Sequence, residues 1–272
     1  MLQTLDEIAE LAEFIAEDNI TRGIVNLDKI ARKNDIGLHY DNFENYFTGM
    51  LQHENNSFDI FINLYKLKKK KYSRTRFTLA HELGHYYIDA HRNLLKKGYS
   101  LSYDKDLSYF SNDPVEKEAN HFATNLLMPK NRFVNDINSQ EVGINAVKNL
   151  SQQYKTSITS TIIQYRNLIN NPCFLLFWNE NQEFKRKNYS DSFYNIIKQF
   201  SQGFKIKDEI KASIFDGFDD LLYFRNTTSI DGYLSSFYVS INVSSTMDKP
   251  VKIETMNLQS YGFVSIVFLS DI

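Results

Sequence analysis

The pentapeptide His81-Glu82-Leu83-Gly84-His85 constrains this chain more than any other stretch. Residues four apart on a helix share one face, so a helix through this segment brings both imidazoles to one point, where they can share a Zn²⁺ ion. Glu82 lies one step round the helix, beside the position such an ion leaves open, where a carboxylate can take a proton from water. Five-residue patterns also arise by accident on surface helices, so the flanking residues matter. Arg76-Phe77-Thr78-Leu79-Ala80 before the motif and Tyr86-Tyr87-Ile88 after it make a largely apolar helix suited to a core. Two histidines and a glutamate buried there are costly without a partner, and a metal is the simplest one.

A catalytic zinc site takes three protein ligands and keeps one position for water, so a third ligand has to come from elsewhere. His91 falls where a longer H-E-x-x-H-x-x-G-x-x-H pattern would place its last histidine, but Ile88 stands where that pattern needs a glycine with positive φ. If the helix runs on, His91 turns away from His85, which makes it a helix-end or surface histidine. The other source is Asp113 to Pro129. Asp113 is a good N-cap, Pro114 suits the first helical position, and Pro129 marks the end. Val115, Ala119, Phe122, Ala123, Leu126 and Leu127 form its apolar stripe. Glu116 is the candidate ligand, with Asn120 one turn on to orient it, while Glu118 points to the other side. The same residues also suit an ordinary capped helix whose first-turn glutamates face the macrodipole.

Arg76 to His85, followed by Glu116-Lys117-Glu118-Ala119-Asn120-His121-Phe122-Ala123 and Leu126-Leu127-Met128-Pro129, resembles the ImmA/IrrE metallo-endopeptidases. The resemblance covers about residues 24 to 170 and is concentrated in those blocks. It implies a zincin-like core in which His81, His85 and Glu116 bind zinc and Glu82 is the catalytic residue. It also implies a protein substrate, typically a helix-turn-helix repressor whose single cleavage releases a stress or mobile-element programme.

Upstream, Asp28 to Leu38 reads as a helix ending at Gly37. Asn56 to Leu64 reads as a strand with Phe58, Ile60 and Ile62 on its apolar face, expected at a sheet edge beside the zinc helix. Lys66 to Lys71 holds five lysines in six positions and reads as a solvated connection. A formal charge of -2 and a pI near 6.3 argue against a chain built chiefly to bind nucleic acid. The single cysteine, Cys173, excludes an intramolecular disulfide. Leu2 to Phe14 lacks the basic start and apolar stretch of a signal peptide, and no segment is long enough to span a membrane, so a cytoplasmic location is expected.

The expected architecture is α+β in three parts: a zincin-like peptidase at 1–135, a helix-turn-helix-like segment at 136–171, and a small α+β domain at 172–272. In the middle part, helices at Glu141 to Tyr154 and Ile158 to Ile169 flank Lys155-Thr156-Ser157, with Ser157 capping the second. From 141 to 170 only Lys148, Lys155 and Arg166 stand against Glu141, too thin a charge for phosphate contacts, so a packing role is expected. In the last part, strands are expected at Phe174 to Trp178, Tyr233 to Val243, Val251 to Thr255 and Phe263 to Leu269, with a helix at Ser192 to Phe204. Some ImmA/IrrE relatives carry a GAF-like sensor domain there.

Hydrolysis also needs a donor for the developing oxyanion, and Tyr86, Tyr87, His121, Tyr154 and Arg166 are chemically able. The alternative to an enzyme is a DNA-binding or partner-binding regulator that keeps the peptidase fold without its catalysis. What separates the two classes is whether His81, Glu82, His85 and Glu116 converge.

Overall fold

The computed structural model describes residues 3–65, 73–99, 113–198, 203–216, 227–237, 248–258 and 261–269. The lysine run at 66–71 lies outside them. The chain is α+β and packs as two compact units, residues 1–138 with 148–164 and residues 139–147 with 165–272.

The first unit opens on helix α1 (Leu5–Glu17). Thr4 starts it with a reciprocal cap: its hydroxyl accepts from the Glu7 N–H at 3.2 Å, and its own N–H donates to the Glu7 carboxylate at 2.7 Å. Two short strands, β1 (Ile20–Thr21) and β2 (Ile24–Val25), pair antiparallel and lead to α2 (Leu27–Lys33), capped by Asn26. The helix expected to reach Leu38 stops here, because Asp35 takes the left-handed φ of 54° and redirects the chain. Ile36 and Leu38 then pair with Phe58 and Ile60 as part of β3 (Ile36–Asp41). The alternation of Ile36 and Leu38 fits a strand as well as a helix, so pattern alone did not decide between them.

Strands β4 (Gly49–Glu54) and β5 (Ser57–Asn63) form a hairpin turned by Asn55 and Asn56, both at positive φ (49° and 63°). Such a turn needs two left-handed residues, and asparagine tolerates that region better than most. The sheet order is β3-β5-β4, with β3 parallel and β4 antiparallel to β5. Phe58, Ile60 and Ile62 are buried on one face as expected. The strand expected at the edge is therefore the middle one, and β4 is the edge that packs beside the motif helix.

That helix, α3 (Ser73–Tyr87), is buried along its middle from Thr78 to His85. It ends because Ile88 adopts extended backbone (φ −74°, ψ 111°), and a new helix, α4 (Asp89–Lys96), begins at once. Helix α5 (Pro114–Leu127) follows, with Asp113 accepting from the Val115 N–H at 2.9 Å and Pro114 in the first position. α5 packs against both α1 and α3. Ala119, Phe122, Ala123 and Leu126 are fully buried in this packing, and truncating Phe122 alone would cost about 3–5 kcal/mol.

Gly84 lets α3 and α5 come so close. A β-carbon there would meet the Phe122 ring at 3.1 Å and the Ala119 carbonyl oxygen at 3.2 Å. The close approach matters because it places the turn carrying His81 and His85 against the first turns of α5.

After α6 (Lys130–Asn138) come α7 (Ile144–Tyr154) and α8 (Ile158–Leu168), joined through Lys155 at φ 56°, with Ser157 accepting from the Ser160 N–H. The segment expected at 136–171 as a piece of its own is divided between the units. Tyr154 donates to Asp136 at 2.5 Å and Gln164 to Asn125 at 3.4 Å, which ties 148–164 to the first unit. Glu254 accepts from the Ile144 N–H at 2.5 Å and Tyr165 from the Gly143 N–H at 3.2 Å, which ties the remainder to the second.

The second unit is built on an antiparallel sheet. Its strands are β6 (Cys173–Trp178), β7 (Phe184–Tyr189), β8 (Thr227–Tyr233), β9 (Pro250–Asn257) and β10 (Phe263–Leu269), in the order β7-β6-β10-β9-β8. Phe174, Leu176 and Trp178 of β6 share one apolar core with Phe193 and Ile197 of α9 (Asp191–Ile197) and Ile210 and Ile214 of α10 (Asp208–Phe215). The strand expected at Tyr233 to Val243 does not hold over its first residues, since Tyr233 ends β8 and Leu234 to Ser236 form a short 3-10 turn. Residues 238–247 of that expectation lie outside the described residues. So do 199–202 within the helix expected at Ser192 to Phe204.

No helix among the described residues is long and apolar enough to cross a membrane.

Candidate metal centre

α3 presents His81 and His85 one turn apart, and their Nε2 atoms face each other at 3.0 Å. Across from them, α5 brings the Glu116 carboxylate, with Oε2 3.2 Å from His81 Nε2 and Oε1 3.6 Å from His85 Nε2. All three side chains are buried, and one ligand atom from each lies within 4.8 Å of the others. Glu116 Oε1 is a buried carboxylate oxygen with no hydrogen-bond partner. A buried orphan of this kind costs a few kcal/mol unless something positive sits beside it.

Both imidazoles are held by their other nitrogen. His81 Nδ1 lies 2.9 Å from Asn120 Oδ1, an atom that can only accept, so Nδ1 carries a proton and Nε2 is the nitrogen that faces the centre. Asn120 was expected to orient Glu116, and the structure turns it to His81 instead. His85 Nδ1 lies 3.1 Å from His91 Nδ1, and His91 Nε2 lies 2.9 Å from Glu118 Oε2.

His91 is therefore not a surface histidine, and it is not among the described residues grouped so that they could hold a metal. The expectation failed on one premise: that only a glycine with positive φ could turn the chain back. Ile88 breaks the helix with ordinary extended backbone, which β-branched residues adopt readily, and α4 swings His91 in under His85. Glu118 does face away from Glu116, as its place on the helix requires, yet it is not idle.

The electrostatics are those of a site prepared for a cation. Burial pushes the Glu116 carboxyl upward, but the two imidazoles that face it, His81 and His85, outweigh burial and hold the group at about 2. Burial drives His85 down to about 4. Burial also works against a charge on His81, but the hydrogen bond to Glu116 and the nearby Glu82 and Glu116 charges win, raising its pKa above the usual histidine value. The cluster thus draws one positive charge to its middle, a proton if nothing else. Two imidazoles and a carboxylate are also the protein donor set of a catalytic zinc site. The residues fit the ion.

Glu82 is buried beside this centre, and burial raises its pKa to about 7. Its carboxylate accepts a hydrogen bond from the Leu51 backbone on β4, so the base candidate spans the gap between the metal-ligating group and the sheet edge.

Of the expected oxyanion donors, Tyr87 accepts from Asn34 at 2.6 Å, Tyr154 donates to Asp136 and Arg166 donates to the Tyr189 carbonyl. His121 Nε2 lies 3.3 Å from the Asn125 amide, and the Tyr86 ring packs edge-on against Phe58 with centroids 5.1 Å apart.

The family model of the IrrE N-terminal-like domain, Peptidase_M78, matches residues 51–163. Among solved structures, a Mycobacterium tuberculosis transcriptional regulator superposes with a TM-score of 0.62 over 98% of this chain and 76% of its own, at 11% sequence identity. Likeness at that identity is one of fold. The comparison with curated proteins returned no match. The matched segment contains the whole His-Glu-x-x-His motif, the Glu116 turn of α5 and the edge strand from Leu51 onward, so the candidate centre lies within an IrrE N-terminal-like domain at residues 51–163, in keeping with the ImmA/IrrE resemblance of the sequence.

Proposed function

We propose that this chain is a zinc-dependent endopeptidase that cleaves one specific protein. The observation that carries it is the convergence of His81, His85 and Glu116 on one buried point with the Glu82 carboxylate beside it. A zinc ion held there supplies Lewis acidity toward a peptide carbonyl and toward water. Glu82 takes the proton of the attacking water and delivers it to the leaving amine. A carboxyl group poised at about 7 suits both halves of that task near neutral pH. His81 and His85 act as neutral donors with fixed lone pairs, and Glu116 offsets part of the ion's charge. Among the described residues β4 is the sheet edge beside α3, where an extended chain can add as a further strand.

On the family resemblance, the substrate is a helix-turn-helix repressor, and cleavage derepresses stress or mobile-element genes in the cytoplasm. The second unit is then the place for a regulatory input.

The test is co-expression with a repressor encoded nearby, followed by a search for one discrete fragment. Cleavage is expected with the wild-type chain and lost in Glu82→Gln with zinc still bound. Full activity in Glu82→Gln overturns the assignment of the base.

A further inference from the structure

We propose that His91 and Glu118 form a positioning relay for the metal-ligating His85, fixing its tautomer and ring orientation from behind.

The geometry assigns the protons. Glu118 Oε2 can only accept when ionised, and 26% of its side chain is exposed, so His91 Nε2, 2.9 Å away, is the donor. A neutral His91 then has a lone pair on Nδ1. The partner at 3.1 Å is His85 Nδ1, which must carry the proton of that hydrogen bond. It follows that His85 Nε2 is bare and directed at the centre it shares with His81 and Glu116. The chain of contacts runs Glu118, His91, His85, with every link made by a ring nitrogen or a carboxylate oxygen.

His81 receives the corresponding support from a neutral amide, Asn120. The two ligating histidines are thus held unequally.

The chain makes this arrangement by two independent local devices. The break at Ile88 lets α4 fold His91 back beneath α3, and Glu118 stands on the far side of the α5 turn that presents Glu116. His91 is 2% exposed although it sits in a short helix that is otherwise largely polar. A polar side chain buried in that setting has a partner it is placed to serve.

The relay rests on the metal-site reading given above, so its test separates the two. Zinc affinity is measured by chelator competition for the wild type, His91→Phe, His91→Gln and Glu118→Gln, and the His85 tautomer is read from side-chain 15N shifts in the zinc-free chains. The wild type is expected to bind zinc and to show His85 protonated at Nδ1. His91→Phe removes the acceptor, and the zinc Kd should rise by roughly 10- to 100-fold while His85 shifts toward the Nε2-protonated form. His91→Gln offers a carbonyl oxygen in its place and should recover a good part of both. Glu118→Gln, nearly isosteric, should weaken zinc less than His91→Phe does. If His91→Phe fails to fold, Glu118→Gln carries the test, and in it a Kd and a tautomer population equal to wild type overturn the relay. A wild type that binds zinc together with a His91→Phe chain of unchanged Kd and tautomer also overturns it. A wild type that binds no zinc defeats the metal site itself.

Discussion

Gly49 leaves the space that the Glu82 carboxylate occupies: a β-carbon on Gly49 would stand 2.6 Å from Glu82 Oε1 and 2.4 Å from Thr78 Cγ2. The edge strand thus shapes the pocket of the proposed base by lacking a side chain, as well as through the Leu51 backbone hydrogen bond. Gly49→Ala is expected to displace Glu82 while leaving His81, His85 and Glu116 in place. A shift of about 1 Å in a reacting group can cost roughly 100-fold in rate, so cleavage should fall by about that much with zinc content unchanged. Activity equal to wild type would show that Glu82 does not act from this position.

Gly84→Ala tests the helix approach that assembles the centre. Phe122 can yield a few tenths of an ångström, but the Ala119 carbonyl is backbone on α5 and yields only if the helix moves. A loss of about 1–3 kcal/mol in stability is expected, and a weaker zinc site with it, because Glu116 moves with α5. Chemical denaturation and chelator competition measure the two effects separately. Lost stability with unchanged zinc affinity would mean that α3 and α5 do not jointly set the site.

Zinc binding should release protons in a pattern the site dictates. At pH 6 His85 and Glu116 are already deprotonated, with pKa values of about 4 and about 2, whereas His81 is raised above the ordinary histidine value and Glu82 sits at about 7. The ion must displace the His81 proton, so apparent affinity should rise with pH until His81 has titrated. In Glu82→Gln, where the second group cannot contribute, calorimetry in buffers of different protonation enthalpy should find about one proton released per zinc. Release of none would place the bound ion elsewhere.

In the second unit, burial pushes the Cys173 thiol up to about 12. The native thiol should resist alkylation at pH 8 and react only on unfolding. Between pH 9 and 12 the folded chain keeps a proton that the unfolded chain has lost, so this group subtracts stability as pH rises, by about 1.4 kcal/mol at pH 10. Rapid native alkylation would contradict the buried placement in β6.

The centre was legible in the sequence where local rules suffice. His81 and His85 share a face by helical period alone, and Asp113-Pro114 announced the helix that carries Glu116. The surroundings were less legible because they depend on backbone breaks that leave little trace in composition. Ile88 ends α3 without a glycine or proline, so His91 was read on a helix that does not continue. Asp35 turns the chain at positive φ in a stretch whose apolar spacing fits a helix equally well. The Asn55-Asn56 turn pairs β4 with β5 and makes β5 the central strand, while β4 itself, with Gly49 and Gln52 among its residues, shows too weak an alternation to stand out. Asn120 was placed on the right face of α5, but which side chain it serves depends on how α3 docks.

The most direct measurement of the central claim is the zinc content of the purified chain and of Glu116→Gln after dialysis against trace zinc. One zinc per wild-type chain, and substantially less in Glu116→Gln, is the expected result. Equal retention in both, or none in the wild type at saturating zinc, would contradict a centre made by His81, His85 and Glu116.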